Sequence, residues 1–219
     1  MSPGSADGHR PAASGAVPPA PVRGPIGIVL AAGRGARFGG AKLLAPLPAA
    51  SHGVAAGTAI GAVAAMHLLA ALGEVIAVVR PGDARLHDAL AATGARVIVC
   101  PRADDGMGAS LACGVAAAPP CAGFVVALAD MPWIAPATIA CVAQALHDGA
   151  SIATPTYRGE RGHPVGFAAD HRAALLALTG DTGARALLAA DPAAVTAIAV
   201  DDPGAVRDVD RPEDLSRPD

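Results

Sequence analysis

Read for its hydrophobic and polar positions, the chain changes character at Ile26. From there, short apolar runs rich in Val and Ile alternate with longer stretches of Ala and Leu. The short runs predict strands at 27–31, 75–80, 96–100, 123–128, 151–154, 165–167 and 196–200. The longer stretches predict helices at 54–72, 83–92, 110–117, 136–147, 169–178 and 183–190. Pro136 suits the first turn of its helix, where a missing N–H costs nothing. The early strands are apolar throughout rather than alternating, as expected of parallel strands covered on both faces. Such alternation of strand and helix predicts a doubly wound α/β fold, a Rossmann-like, mostly parallel sheet with helices on both faces. The later strands are less regular and leave room for an antiparallel member.

Residues 1–24 show no helix or strand period and consist largely of Pro, Ala, Gly and Ser. They are expected to form a disordered N-terminal tail. Residues 25–219 are expected to form a single domain.

Composition narrows the function classes. The chain is 53% hydrophobic and 16% charged, with a net charge of −3. A mean hydropathy of +0.44 raises the question of a membrane. The apolar runs are too short for a spanning helix, which needs roughly 20 residues. The nearest, 53–72, is rich in Ala and Gly, contains His67 and reads as a buried helix. No Lys/Arg run stands out, so neither nucleic acid nor a membrane is an expected partner. Cys100, Cys113, Cys121 and Cys141 form no C-x-x-C pair and no zinc-ligand spacing. Reduced thiols in a cytoplasmic protein are the expectation.

In doubly wound sheets, ligands sit beyond the carboxyl ends of the strands. Two such ends carry chemistry. The first strand runs into Leu30-Ala31-Ala32-Gly33-Arg34-Gly35-Ala36-Arg37-Phe38-Gly39-Gly40-Ala41-Lys42. Glycines let backbone N–H groups approach an anion, and Arg37 and Lys42 add fixed positive charge. The combination suits a triphosphate held for attack. It is not a Walker A loop, because no Ser or Thr follows the lysine. The strand 123–128 ends at Asp130-Met131-Pro132. A carboxylate there can hold Mg²⁺ at the mouth of the site, with water and phosphate completing the shell.

These two segments resemble the signature elements of the molybdenum cofactor nucleotidyltransferases, which are related to the sugar-phosphate nucleotidyltransferases. The loop matches L-A-A-G-x-G-x-R-F-G-x-x-K, and Asp130 with Pro132 matches D-x-P. Further matches follow in order. Gly106-Met107 with Ser110-Leu111 is similar to a base-side segment. Gly162-His163-Pro164 and Gly180-Asp181-Thr182-Gly183-Ala184-Arg185 are similar to acceptor-side elements. Asp208-Val209-Asp210-Arg211-Pro212-Glu213-Asp214 is similar to the family's D-x-D-x-P-E-D ending. The resemblance spans Ile26 to Leu215. It departs at Arg211, where Thr is common, and across Pro46–Thr58, where Ser51-His52-Gly53-Val54 stands.

The resemblance implies a nucleotide-diphospho-sugar transferase-like fold and transfer of a nucleotide with release of pyrophosphate. It assigns Arg37, Lys42 and Asp130 to catalysis. It assigns Leu30, Ala31, Ala32, Gly33, Gly35, Arg37, Lys42, Gly106 and Ser110 to the nucleotide. His163, Asp181 and Arg185 fall to the acceptor, and Asp130 and Asp210 to Mg²⁺. Ser110 and Asp181 also suit helix caps, and both readings stand. Ala31-Ala32-Gly33 matches the CTP-using members, whereas GTP-using members carry Ala-Gly-Gly. The implied reaction joins CMP to Mo-molybdopterin, giving molybdopterin cytosine dinucleotide for a xanthine dehydrogenase-like client, which the enzyme would contact transiently. A guanylyltransferase, a sugar- or alditol-phosphate nucleotidyltransferase and a non-catalytic cofactor carrier are the alternatives.

Overall fold

The computed structural model describes residues 24–35, 38 and 40–216. The tail expected at 1–24 lies almost wholly outside the described residues, as does Arg37. Eight strands form one sheet: β1 (Ile26–Leu30), β2 (Val75–Val79), β3 (Arg96–Val99), β4 (Gly123–Leu128), β5 (Ile152–Tyr157), β6 (Glu160–Arg161), β7 (Val165–Ala168) and β8 (Val195–Ala199). The order is β3-β2-β1-β4-β7-β5-β6, with β8 paired to β5. β1 to β4 are parallel. β7 is antiparallel to both β4 and β5, and β8 runs parallel to β5. The mixed, mostly parallel α/β sheet is the expected fold, including its antiparallel member.

The helices are α1 (Ile60–Leu72), α2 (Ala84–Ala91), α3 (Met107–Ala117), α4 (Pro136–His147), α5 (Arg172–Leu176) and α6 (Arg185–Ala190). Because successive strand residues face opposite ways, the central strands β1, β2 and β4 feed two cores. Val29, Ala77, Val79, Val125 and Ala127 pack with Leu68 of α1, Leu86 of α2 and Ile139 of α4. Ile26, Ile28, Ile76, Val78 and Val126 pack on the other face with Leu111 and Val115 of α3 and Leu175 of α5. Small residues let the helices lie close. A side chain at Gly114 of α3 would meet Ile28 Cγ2 at 2.9 Å and Val78 Cγ2 at 3.0 Å.

Three local expectations need correction. The helix expected from Val54 starts at Ile60. The chain before it turns back through His52 (φ 43°), Gly53 (φ 88°) and Gly57 (φ 85°), torsions no helix accepts. α3 begins at Met107, so Ser110 lies inside it and is not its cap. Cys100 and Cys113 are paired as a disulfide, leaving Cys121 and Cys141 free. Their separation along the chain conceals that the end of β3 lies against α3. No helix among the described residues is long and apolar enough to cross a membrane.

Candidate active site

The parallel strands end on one edge, and β1 and β4 lie side by side at its centre. The chain leaves β1 at Leu30 into the glycine-rich loop and leaves β4 at Leu128 toward Asp130. Backbone hydrogen bonds fix these exits: Ala31 N–H donates to the Val78 carbonyl at 2.9 Å, and Ala129 N–H to the Leu30 carbonyl at 3.1 Å. The loop closes on itself where Phe38 N–H donates to the Gly35 carbonyl at 3.0 Å. Lys42 opens a single 3₁₀ turn, Lys42–Leu44.

Lys42 then reaches back across the loop. Its Nζ donates to Asp130 Oδ2 at 2.7 Å and lies 3.9 Å from Asp210 Oδ1. Asp130, Asp208 and Asp210 bring carboxylate oxygens within 4.8 Å of one another. Val209 N–H donates to the Asp130 carbonyl at 2.9 Å and so registers the two segments. Burial raises the Asp208 pKa, and the neighbouring Asp210 and Asp130 charges raise it further. The sequence reading included Asp130 and Asp210 and missed Asp208. Its signal was the i, i+2 spacing, which puts two side chains on one side of an extended segment.

Three cavities meet near these acids, and Leu30 lines all of them. One, of about 530 Å³, lies between the glycine-rich loop and the start of α3. Its walls include Ala32, Gly33, Arg34, Asp104, Gly106, Ser110 and Asp130. A second, of about 670 Å³, opens over β4 and β7. It is lined by Val126, Leu128, Val165, Phe167 and Leu188, with Arg161, His163, Arg185 and Asp208. A third, of about 270 Å³, lies under the loop, with Gly35, Lys42, Arg80 and Asp130.

The expected groupings can be compared with this arrangement. Gly33, Gly106 and Ser110 share the 530 Å³ cavity, and Gly35 and Lys42 the 270 Å³ one. Leu30 lines both, while Ala31 is buried. His163 and Arg185 share the 670 Å³ cavity. Asp181 does not join them; it lines the 530 Å³ cavity, because the Gly180 carbonyl accepts from Gly108 N–H at 2.8 Å and docks that loop on α3. Nor does Asp181 cap α6, whose cap position is Ala184.

The electrostatics divide the same way. Arg34, and after it Arg80, hold the Asp104 carboxyl below the usual carboxylate range at the rim of the 530 Å³ cavity. Arg34 Nη2 lies 3.0 Å from Asp104 Oδ1, and Arg80 donates to the same oxygen. None of the three was among the sequence candidates, although Arg80 directly follows β2, where ligand-facing residues gather. In the 670 Å³ cavity, burial lowers the His163 pKa, with Arg185 adding to it and a backbone contact at Val126 and Asp130 opposing. The ring is therefore neutral near pH 7, and its buried Nδ1 has no hydrogen-bond partner.

A sequence model of the MobA-like NTP transferase domain matches residues 27–195. The chain belongs to this family. It is a nucleotidyltransferase of the MobA-like type, and Asp208 and Asp210 lie beyond the matched stretch. Among solved structures it is similar to Rv0371c from Mycobacterium tuberculosis H37Rv. The two are 29% identical over 90% of this chain and 97% of that one, with a TM-score of 0.73. A further structure of Rv0371c is a complex with manganese, at 27% identity, with the same coverage and a TM-score of 0.69. A nucleotidyl transferase from Methanothermobacter thermautotrophicus is 26% identical over 89% of this chain and 95% of its own, with a TM-score of 0.72. The molybdopterin-guanine dinucleotide biosynthesis protein A of Archaeoglobus fulgidus shares the fold. It has 17% identity over 88% of this chain and 95% of that one, with a TM-score of 0.54. No curated protein sequence matches the chain.

Proposed function

We propose that the protein transfers CMP from CTP to the terminal phosphate of Mo-molybdopterin, releasing pyrophosphate and forming molybdopterin cytosine dinucleotide. The observation that carries this reading is the acid cluster at the junction of two cavities. Asp130 lines the glycine-loop cavity and Asp208 lines the apolar one, with Lys42 between Asp130 and Asp210. A nucleotide in the first and an acceptor phosphate in the second would meet at these residues.

The donor set fits a hard divalent cation. Asp130, Asp208 and Asp210 offer an all-oxygen set of carboxylate ligands, the kind that hard divalent ions prefer. Asp130, Asp208 and Asp210 would hold Mg²⁺, and the ion would neutralise phosphate charge. The chain's own residues bind and orient. Lys42 and Arg37 would steady the departing pyrophosphate, and Gly33 and Gly35 would bring backbone N–H groups to the phosphates. Gly106 and Ser110 would face the base. In-line attack on the α-phosphorus needs positioning and charge neutralisation more than a protein nucleophile.

Base and acceptor rest on wall chemistry. Ala32 lines the nucleotide cavity at the position where GTP-using members carry glycine, and this likeness to the CTP-using members supports cytosine. The apolar walls formed by Val126, Leu128, Val165 and Phe167 suit a flat heteroaromatic acceptor. They would strand the hydroxyls of a sugar phosphate. Arg185 supplies charge for the acceptor phosphate. We place the enzyme in the cytoplasm, supplying a xanthine dehydrogenase-like client; the Cys100–Cys113 pair pulls the other way, since cytosolic disulfides are rare.

The test is pyrophosphate release with Mg²⁺ and Mo-molybdopterin, comparing CTP, GTP, ATP and UTP, with Asp130→Ala as control. CTP-selective release, abolished by the substitution, is expected. Selective release with GTP overturns the base assignment alone. Tight cofactor binding with no release from any nucleotide makes the protein a carrier.

A further inference from the structure

The acids of the cluster come from two stretches with no regular secondary structure, so something must hold them at ligand distance. The structure shows a line of contacts between 130–138 and 202–210. At its far end, Asp202 Oδ2 accepts from Ala135 N–H at 2.9 Å and from Thr138 Oγ1 at 2.6 Å. Next, Gly204 lies so close to the Trp133 carbonyl that any side chain there would collide with it. The Arg207 guanidinium then sits over the Trp133 ring, 3.8 Å from its centroid. Last, Val209 N–H donates to the Asp130 carbonyl at 2.9 Å. Asp208 and Asp210 flank that final contact.

The backbone at Pro132 and Trp133 is also held by Ser51 and His52. His52 Nε2 donates to the Trp133 carbonyl at 3.1 Å, and Ser51 Oγ to the Pro132 carbonyl at 3.2 Å. Arg207 is steadied by donating to the Asp214 carbonyl at 3.2 Å. Asp214 in turn accepts from Asp210 N–H at 2.9 Å through Oδ2. The Trp133–Arg207 stack therefore lies between a braced loop carrying Asp130 and a braced segment carrying Asp208 and Asp210.

We infer that Trp133 and Arg207 are positioning residues for the divalent-cation site, setting the separation of Asp130 from Asp208 and Asp210. The inference rests on the metal reading above and adds to it the device that assembles the site. It makes a prediction that simple electrostatics opposes. Arg207 carries a positive charge next to Asp208 in the chain, so removing that charge without changing geometry should, if anything, tighten cation binding. If Arg207 acts by position, removing it must weaken binding instead.

The experiment is Mn²⁺ binding to the full-length protein without nucleotide, measured by calorimetry and by electron paramagnetic resonance of free Mn²⁺. Circular dichroism melts confirm that each variant is folded. The variants are W133L, W133F, R207Q, R207K and Asp130→Asn. W133L and R207Q are expected to weaken binding about tenfold, which is about 1.4 kcal/mol. W133F keeps a ring and R207K a cation, so each should stay within about threefold of the native protein. Trp133 is the chain's single tryptophan, so its fluorescence should shift on Mn²⁺ addition to the native protein. Folded W133L and R207Q proteins that bind Mn²⁺ as tightly as the native chain, or more tightly, overturn the positioning role. If Asp130→Asn leaves Mn²⁺ binding unchanged, the metal reading itself fails, and the two failures are distinguishable.

Discussion

Replacing Lys42 with Met should separate the two roles of its ammonium. Lys42 lies among three clustered carboxylates, 2.7 Å from Asp130 and 3.9 Å from Asp210. Its side chain is 11% exposed, against 23% for Asp130 and 38% for Asp210. Deleting one partner of a fully buried pair costs roughly 3–5 kcal/mol. Water reaches both carboxylates here and screens part of the loss, so about 2 kcal/mol is expected. For a chain of this size that lowers Tm by about 4–8 °C. A divalent cation supplies the same neutralisation without competing with the lysine. Saturating Mg²⁺ should therefore recover most of the lost Tm in K42M and raise the native protein less. Calorimetry should show Mg²⁺ binding K42M about tenfold more tightly, whereas pyrophosphate release falls by about 10²-fold or more if the proposed role of this charge at the phosphates holds. Thermal melts with and without Mg²⁺ provide the first check. Equal Tm values for the two metal-free proteins, or an equal rise with Mg²⁺, would refute the reasoning.

Further outcomes follow from buried groups. Burial lowers the pKa of His67 and of His163, so the unfolded chain takes up their protons first, below about pH 6.5. Stability should then fall as pH drops through that value, by up to about 1.4 kcal/mol per pH unit for each histidine, until the lowered folded pKa is passed. Urea melts from pH 7.5 to 5.5 on the native chain and His67→Gln isolate one histidine from the opposing effect of Asp208; parallel curves would remove His67 from the account. Gly114→Val should cost about 2–3 kcal/mol, because its side chain would press on Ile28 and Val78, and an unchanged urea midpoint would contradict that packing. Protein purified and denatured without reductant should expose two titratable thiols, Cys121 and Cys141, rising to four after reduction; four at the outset would contradict the Cys100–Cys113 pairing.

How much was legible in the sequence varied with the range of the interaction responsible. α4 was read to its exact bounds, 136–147, because Pro136 and an unbroken apolar period mark it locally. The start of α1 was misread because Ala-rich text looks helical, whereas the positive φ values at His52, Gly53 and Gly57 force a turn. Within the stretch 46–58 that departs from the family text, Ser51 and His52 are the residues that grip Pro132 and Trp133. Asp181 was grouped with His163 and Arg185 by its place in a motif. A backbone hydrogen bond from Gly108 to Gly180 carries it to the other cavity.

By itself, the sequence determined the strand and helix alternation, the parallel core of the sheet and the family, since apolar periodicity and short loop motifs are local properties of the chain. It also marked the strand ends at Leu30 and Asp130 as the place for chemistry, because a doubly wound sheet offers its ligands that edge. Tertiary structure alone decided that Lys42, Asp130, Asp208 and Asp210 converge, that Arg34 and Arg80 share Asp104, and that Cys100 meets Cys113. Each of those meetings depends on distances between segments far apart in the chain. The packing of helices on the sheet and of residues 202–210 on the Asp130 loop sets those distances, and no local pattern encodes them.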